Sequence, residues 1–589
     1  MSFDGLVLRA ITVELQEKLC GARIDKIYQP TKHKIIFTLR QTGITYKLLL
    51  SSLAQEARVH LVSHTTPNPP EPPLFCMVLR KHLEGGKILS FSQPNLERVL
   101  EINCEVIDEL GDKALRKIII EIMGKHSNIL LIEPVENKII DSLQRVPLSV
   151  SRYRQVLPGL TYQSPPPQDK LLPWEIKEKD FYQRMLELSF DSNISKALLK
   201  ICMGMSPQTI NELIFRTCLE PQLKLEYCGE YELSLLWQEL SKIGSEIKEG
   251  RFTPEVISKE DNPLTYSAIP LTSFTSNERR SFFTMNEALD FYYLHKNQVN
   301  TLQQKKGELA SLVKKEIQRC EKKANLQQET IQEAENSTHY RLWGELLTAN
   351  LHCLAQGTEA QVNNYYDPDG ATITIPLLPH LTVGENAQRC FSRYQKTKNA
   401  SVKANEHLLE TKKELNYLYS LITSLESVSD LQEIEEIQEE MRQTGYLKSN
   451  VKKKNKSSLP QPSQPQKIVL DSWIIYWGKN NRQNDLLTMK IAKSEDLWFH
   501  TKDIPGSHVI IKNPNSKTIP PEIIEKAAML AAYHSQARYS VKVSVDYTKR
   551  QNVWKPQGAK PGFVLYKHQQ TLFVTPDLEK IKELLNPAT

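Results

Sequence analysis

Nowhere in its 589 residues does the chain carry a run of about 18 apolar residues, so no segment has the length and character of a membrane-spanning helix. The N-terminus, Met1-Ser2-Phe3-Asp4-Gly5, has neither a basic n-region nor an apolar h-region. That excludes the pattern of a secretory leader and predicts a cytosolic protein. There is no C-x-x-C pair among the nine cysteines, which are odd in number and scattered. Buried free thiols in a reducing compartment fit this usage better than disulfides or a zinc site. His500 and His508 are the one histidine pair near a plausible site, and with no cysteine partners they do not make a metal set. No cofactor or metal is expected.

The usual marks of several enzyme classes are missing as well. The sequence has no G-x-x-x-x-G-K-[ST] loop, no G-x-S-x-G elbow and no H-E-x-x-H helix, so nucleotide hydrolysis, serine acyl transfer and zinc proteolysis lack their parts. Gly85-Gly86-Lys87 is not followed by a helix start, which argues against a phosphate cradle there. Glu97-Arg98 offers a carboxyl beside a cation. Such a pair is either a general acid or, more commonly, a satisfied surface pair.

Acidic residues are scarce in one region only. Residues 447–576 hold 21 Lys+Arg against 8 Asp+Glu, about +13, while the whole chain is +6, which leaves about −7 elsewhere. This asymmetry points to a polyanionic partner. Within it, residues 447–467 carry six lysines and no acid among Pro, Gln and Ser, and read as a flexible tether with room for loose phosphate contact. The module after it, residues 468–576, alternates strand-like runs (473–477, 487–491, 508–511, 541–545) with one helix, Glu522–Gln536. Lys549, Arg550, Lys555, Lys560 and Lys567 are interleaved with Trp554 and Phe563. Cations among aromatics suit RNA, because Lys and Arg neutralise phosphates while rings stack on unpaired bases. A solvated basic edge has the same composition.

The remainder is too long for one core. Residues 1–172 read as an α/β or α+β domain, with a helix from Val7 to Leu19, strands at 35–39 and 47–50 joined by Gln41-Thr42-Gly43, and later runs at 99–102, 117–121 and 128–132. Residues 173–260 read as helical. Their centre is the turn Met203-Gly204-Met205-Ser206 before Pro207, where Gly204 suits a tight reversal, Ser206 an N-cap and Pro207 the first helical position. This is a helix-hairpin-helix pattern, open to a phosphate contact or to plain packing. Residues 280–446 read as two antiparallel coiled-coil arms. Val313, Ile317, Cys320, Ala324, Gln327, Ile331 and Ala334 form one seam, and Leu408, Leu415, Leu418, Ile422, Leu425, Leu431, Ile434, Ile437 and Met441 form the other. A β-rich insert, about 341–385, contains Asp367-Pro368-Asp369-Gly370 ahead of alternating Thr372–Ile375 and predicts a hairpin at the tip.

The strings Phe3-Asp4-Gly5, 75–83 (including Arg80 and Lys81), 121–128 (including His126), Gly344-Glu345-Leu346, Asn364–Pro368, Asp496-Leu497-Trp498-Phe499-His500 and Gly506-Ser507-His508-Val509 resemble the NFACT family, the ribosome-quality-control factors, nearly end to end. The resemblance implies a multidomain α+β protein. It would comprise a glycosylase-like N-terminal domain, a helix-hairpin-helix domain, a coiled coil with a hairpin tip and a basic C-terminal RNA-binding domain. It implies a factor, not an enzyme, that binds large ribosomal subunits blocked by peptidyl-tRNA, touches rRNA, and recruits charged tRNA, alanyl-tRNA in bacterial members. The stalled chain would then be tailed without a template, the ribosome forming the bonds and the factor acting as a monomer away from any membrane. It places tRNA contact at Glu97 and Arg98, with Arg80, Lys81 and His126 as further candidates. In the last domain Trp498, His500, Gly506, Ser507, His508, Lys549, Arg550 and Lys555 become the RNA-binding candidates. Two departures matter. Glu97 stands where relatives carry Asp, and Ser2 stands where the glycosylases use an N-terminal proline amine, so base excision lacks its nucleophile. An older label for bacterial members, fibronectin-binding protein, supplies the alternative of a surface adhesin.

Overall fold

The computed structural model describes residues 3–108, 110–259, 262–368, 371–448, 463–470, 472–514, 516–577 and 579–581. Ser2, the Asp369-Gly370 half of the expected tip turn and most of the 447–467 tether lie outside the described residues. The chain forms two compact units, Met1–Val299 and Asn300–Thr589.

In the first unit, Asp4 sets the start of α1 (Gly5–Leu19): its Oδ1 accepts the backbone N–H groups of Leu6 (3.1 Å) and Val7 (3.0 Å). Strands β1 (Arg23–Thr31), β2 (Lys34–Gln41), β3 (Ile44–Ser51) and β4 (Arg58–Leu61) precede α2 (Leu74–Leu83). Strands β5 (Lys87–Ser92), β6 (Val99–Ile107), β7 (Lys113–Glu121), β8 (Asn128–Glu133) and β9 (Lys138–Ser142) follow it. All nine pair into one antiparallel sheet, ordered β4-β3-β2-β1-β5-β6-β7-β8-β9. The β2–β3 turn reverses through Thr42 (φ 47°) and Gly43 (φ 84°). Ile118-Ile119-Ile120 and Ile129–Ile132 are unbroken apolar runs because β7 and β8 are covered on both faces. Ile118, Ile120, Ile129 and Leu131 join the main core, and Ile119, Leu130 and Ile132 pack with Val99, Ile139 and Val156.

A second core in this unit gathers α3 (Glu178–Leu186), α4 (Ile194–Ile201), α5 (Pro207–Arg216) and α6 (Glu230–Lys248) around Phe181, Leu198, Leu213 and Leu240, and takes in Leu6 and Leu96. Residues 255–281 form β10 (Glu255–Lys259), β11 (Asn262–Ser267) and β12 (Glu278–Ser281), in the order β11-β10-β12, so the helical reading fails at 255–259 and the coil begins at Met285 rather than 280. Buried Glu212 ties α5 to the segment before β12 by accepting from Thr272 and Ser273, both N–H and hydroxyl, and by pairing with Arg216 at 2.9 Å. Those bonds hold its carboxyl below the usual range despite the opposing effect of burial.

The unit boundary falls within α7 (Met285–Asn336). In the second unit Val313, Ile317 and Cys320 pack with Tyr417, Leu418, Leu421 and Leu425 of α9 (Val383–Ser427), while Ile331 packs with Ala404 and Leu408. Rising numbers on one arm meet falling numbers on the other, so the coil is antiparallel. Between the arms lie α8 (His339–Ala349) and the hairpin β13 (Glu359–Asn363) and β14 (Thr372–Pro376). The second seam is not one helix. Asp430 Oδ1 caps Glu433 N–H at 2.9 Å and starts a separate α10 (Leu431–Gln443), because Val428-Ser429-Asp430 breaks the apolar phase.

The last domain is a six-stranded sheet, ordered β15 (Gln466–Leu470), β16 (Trp473–Trp477), β18 (Val509–Ile511), β17 (Leu497–Thr501), β19 (Val543–Lys549) and β22 (Gln570–Val574). The helix α12 (Pro521–Tyr533) packs on one face, and the short pair β20 (Val553–Trp554) and β21 (Leu565–Tyr566) stands apart. Residues 487–491 are not the expected strand. Asn480 caps α11 (Asn481–Leu486) by accepting Gln483 N–H at 2.9 Å, and the helix runs on as a π turn, Leu487–Ile491, whose i, i+4 apolar spacing fits either reading. Along α10, buried Glu433, Glu436 and Glu440 accept from Lys479 (2.7 Å), Asn480 (2.9 Å) and Asn481 (2.9 Å). That row fastens the sheet domain to the coil.

Candidate nucleic-acid interface

The N-terminal residues and the turn expected to act as a helix hairpin meet. Gly5 N–H donates to Gly204 O at 2.7 Å, and a Cβ added at Gly5 would lie 2.7 Å from Gly204 Cα and 2.2 Å from Leu96 O. Gly204 has φ +76°, and a Cβ there would sit 2.5 Å from Leu96 Cβ, so both positions demand glycine. Asp4 serves two helices. While Oδ1 caps α1, Oδ2 accepts Ser206 N–H (3.1 Å) and Thr209 Oγ1–H (2.7 Å) at the start of α5. Two positive helix ends therefore share one buried carboxylate. Ser206 is the expected N-cap, its hydroxyl accepting Thr209 N–H, and its own N–H, one of the groups open to a phosphate or to packing, goes to Asp4.

Beside this joint is a cavity of about 240 Å3 lined by Glu97, Arg98, Gln168, Lys170, Gly204 and Met205, together with Asp4, Gly5, Leu96, Ser206 and Pro207. Gln93 fixes its floor by donating to Gly5 O (3.0 Å) and Glu97 O (2.8 Å). Burial pushes the Glu97 carboxyl above its usual range, opposed by a 3.2 Å bond from Gln168 and by the charges of Arg98 and Lys170. Glu97 and Arg98 thus stand opposite the turn 203–206 although about a hundred residues separate them in sequence. Met203 itself packs into the helical core and does not line the cavity. Asp4 entered the sequence analysis only within the string Phe3-Asp4-Gly5, not as a site residue, and Gln168 and Lys170 were not singled out. An N-cap aspartate before an apolar run marks Asp4, but no pattern marks the other two.

Arg80, Lys81 and His126 are absent from the cavity lining. Arg80 is a tie between α2 and β1, with Nε donating to Ile27 O at 2.8 Å and an ion pair to Glu84 at 3.6 Å. Lys81 is exposed on the same helix. His126 is exposed in the turn Gly124–His126 after β7, whose neighbour Ile122 donates to Arg98 O at 2.8 Å.

In the last domain the recognisable strings lie inside. Trp498 is fully buried, packed against His508 (ring centroids 5.3 Å), Tyr566 (4.9 Å) and His500 (5.8 Å). His508 shares a 2.7 Å hydrogen bond with Thr488 and donates its N–H to Asn484. Burial holds His508 well below the usual imidazole range and His500 down to about 4. Ser507 is buried, and a Cβ at Gly506 would meet Thr501 Oγ1 at 2.8 Å, so this glycine allows a close pass. The cations are engaged as well. Lys549 pairs with Glu495 (2.7 Å), Lys555 with Asp485, and Lys560 with Tyr446 Oη (2.9 Å), while Arg550 donates Nε to Thr488 O (2.8 Å) within the π turn. Trp554 and Phe563 remain partly exposed. Among the described residues no cluster of His, Cys, Asp and Glu is placed to hold a metal ion, and no helix is long and apolar enough to cross a membrane.

The family description "NFACT N-terminal and middle domains" matches residues 4–459, and "NFACT protein RNA binding domain" matches residues 468–568. The chain is 40% identical over 589 residues to the Rqc2 homolog RqcH of Bacillus subtilis (strain 168), covering 99% of this chain and 100% of the relative. It is 36% identical to the protein of the same name in Streptococcus suis (strain 05ZYH33), over 99% and 100%. Among solved structures, the fibrinogen binding protein from Staphylococcus aureus is 31% identical, covering 50% of this chain and 99% of that one at a TM-score of 0.43. Two matched domains in the family's order, with relatives aligned end to end, make this chain a member of the NFACT family.

Proposed function

We propose that the protein is a ribosome-quality-control factor. In this reading it binds large ribosomal subunits obstructed by peptidyl-tRNA, recruits charged tRNA, alanyl-tRNA in the first instance, and promotes template-free tailing of the stalled chain. The observation that carries the reading is the convergence of Glu97, Arg98 and Lys170 with Gly204, Met205 and Ser206 on one cavity. Two cations there suit a phosphate, and a carboxyl suits a ribose hydroxyl, the group that distinguishes RNA from DNA. The first unit would then act as a glycosylase-like domain with a helix-hairpin-helix, turned from base excision to holding tRNA. The names of the relatives support the ribosomal setting, and the matched RNA-binding domain supports an RNA partner. Peptide bonds would be made by the ribosome, the protein supplying position and charge. We place it in the cytoplasm, as a monomer on the subunit.

The test is Arg98→Ala, alone and with Glu97→Ala, in cells producing stalled chains. Tailing should disappear while co-sedimentation with large subunits persists; equal loss of both overturns the role given to the cavity. Glu97→Asp should retain tailing if the longer side chain only adapts the same contact. Pelleting with cell envelopes and never with large subunits would favour the adhesin reading instead.

A further inference from the structure

The corner of the last domain where α12 leads into β19 leaves the rings of Tyr539 and Phe573 and the cation of Lys542 in solvent, with Arg538 half-buried beside them. Tyr539 is 78% exposed, Val541 82% and Phe573 63%. Phe573 lies on β22, the edge strand, opposite Ser544, and Thr575 beyond it donates Oγ1–H to Val541 O, so the loop and the strand end lie side by side. Isolated exposed apolar residues need no explanation, but here two exposed rings each have a cation beside them, and Val541 lies between them in the loop. Lys542 Nζ stands 4.6 Å from the Phe573 ring centre, and the Arg538 guanidinium is 5.0 Å from the rings of both Tyr533 and Tyr539.

The cations of this corner differ from the domain's ion-paired lysines. Lys549, Lys555 and Lys512 each face a carboxylate, whereas among the described residues no carboxylate lies within ion-pair distance of Arg538 or Lys542. The neighbouring acid, Asp577, accepts the backbone N–H groups of Glu579 and Lys580. Rings without polar cover beside cations without anions are the two halves of a single-strand nucleotide site, bases on the rings and phosphates on the cations. We propose that unpaired RNA nucleotides stack on Phe573 and Tyr539, with Lys542 and Arg538 neutralising the adjoining phosphates. This rests on the RNA-binding reading of the domain. It moves the contact from the buried Trp498 and His508 strings to the β19–β22 corner.

The experiment measures fluorescence anisotropy of a labelled twelve-nucleotide oligouridylate, a blunt RNA duplex and deacylated tRNA on the full-length protein. Phe573→Ala with Tyr539→Ala should weaken oligouridylate binding about tenfold or more, equivalent to about 1.4 kcal/mol. Phe573→Tyr, which keeps the ring, should restore most of the affinity. Lys542→Ala should flatten the salt dependence by about one phosphate contact. Unchanged oligouridylate affinity in the double alanine variant overturns the proposal, as does wild-type protein that binds tRNA and large subunits but not the single strand. Loss of a crosslinked protein partner with RNA affinity intact also overturns it, and assigns the corner to a protein surface. Absence of binding to any of the RNAs and to large subunits would instead strike the proposed function itself.

Discussion

Two regions carry residues that mark the family, and they use them in opposite ways. In the first unit the marked Glu97 and Arg98 line a cavity, half-buried and facing other polar groups. In the last domain Trp498, Ser507 and His508 are interior: His508 and Ser507 are held by Thr488, Asn484 and the backbone of His534, while Trp498 is fixed by the rings around it. A distinctive string is therefore not by itself an interface. Burying an imidazole or an amide demands particular partners at particular places, which restricts a sequence as strongly as a ligand does. The last domain separates its building residues from its outward residues; the cavity combines them.

The comparison breaks most sharply at Trp498. Trp498→Ala should destabilise the second unit by about 3–5 kcal/mol, seen as an earlier unfolding transition by tryptophan-independent circular dichroism. Unchanged stability with lost RNA affinity would make it a contact residue and erase the contrast. Next is Asp4, which has a structural role on the functional side. Asp4→Ala removes four hydrogen bonds at two helix starts and should lower first-unit stability by about 3 kcal/mol, with Asp4→Asn milder. Arg98→Ala should hardly move the same transition. Equal shifts for both would mean that the cavity is only packing.

How much of this was legible follows from which forces act locally. The α1 helix, the β2–β3 hairpin and the β6, β7 and β8 runs were readable because side-chain period and turn residues are encoded within a few positions. The coil pairing was readable for the same reason, apart from the restart at Asp430. Residues 487–491 misled because Leu487 and Ile491 satisfy both a strand alternation and a helical i, i+4 pair, and the deciding cap, Asn480, lies outside the run. The cavity was legible in halves. Glu97-Arg98 and Met203–Ser206 stood out singly, but nothing local tells that Gly5 and Gly204 bring them together, and Lys170 joins only through the tertiary fold. In the last domain basic composition pointed to a polyanionic partner, while burial decided which residues reach solvent.

A middle-sized effect concerns the fastening between coil and sheet domain. Glu440 is buried, accepts from Tyr417 and Asn481, and is pushed by burial from 4.5 up to about 7. The folded state thus favours the protonated form. Its contribution is complete below about pH 4.5 and is lost as pH rises through about 7, roughly 2 kcal/mol between about pH 5 and pH 7. His500 and His534, both held near 4 by burial, act in the reverse sense, adding stability as pH rises from about 4 to 6.5. Glu440→Gln keeps the acceptor and removes the charge. The difference between wild type and variant in second-unit stability should therefore grow from about pH 5 to pH 7; a constant difference would show that Glu440 is ionised in the fold.

The smallest effect tests the outward half of the contrast at Lys549. Its pair with Glu495 spans 2.7 Å, but both side chains are substantially exposed. Such a pair contributes under about 0.5 kcal/mol, so Lys549→Ala should leave the unfolding transition where it is. Glu495 then decides how the lysine is used. If RNA draws Lys549 away from its partner, the variant should lower the slope of log affinity against log salt by about one, and Glu495→Gln, which frees the lysine, should tighten binding. If neither variant changes the salt slope, Lys549 belongs with Lys555 and Arg550 as a cation spent on the domain itself. The RNA contact proposed for the β19–β22 corner would then rest on Lys542 and Arg538 without help from Lys549.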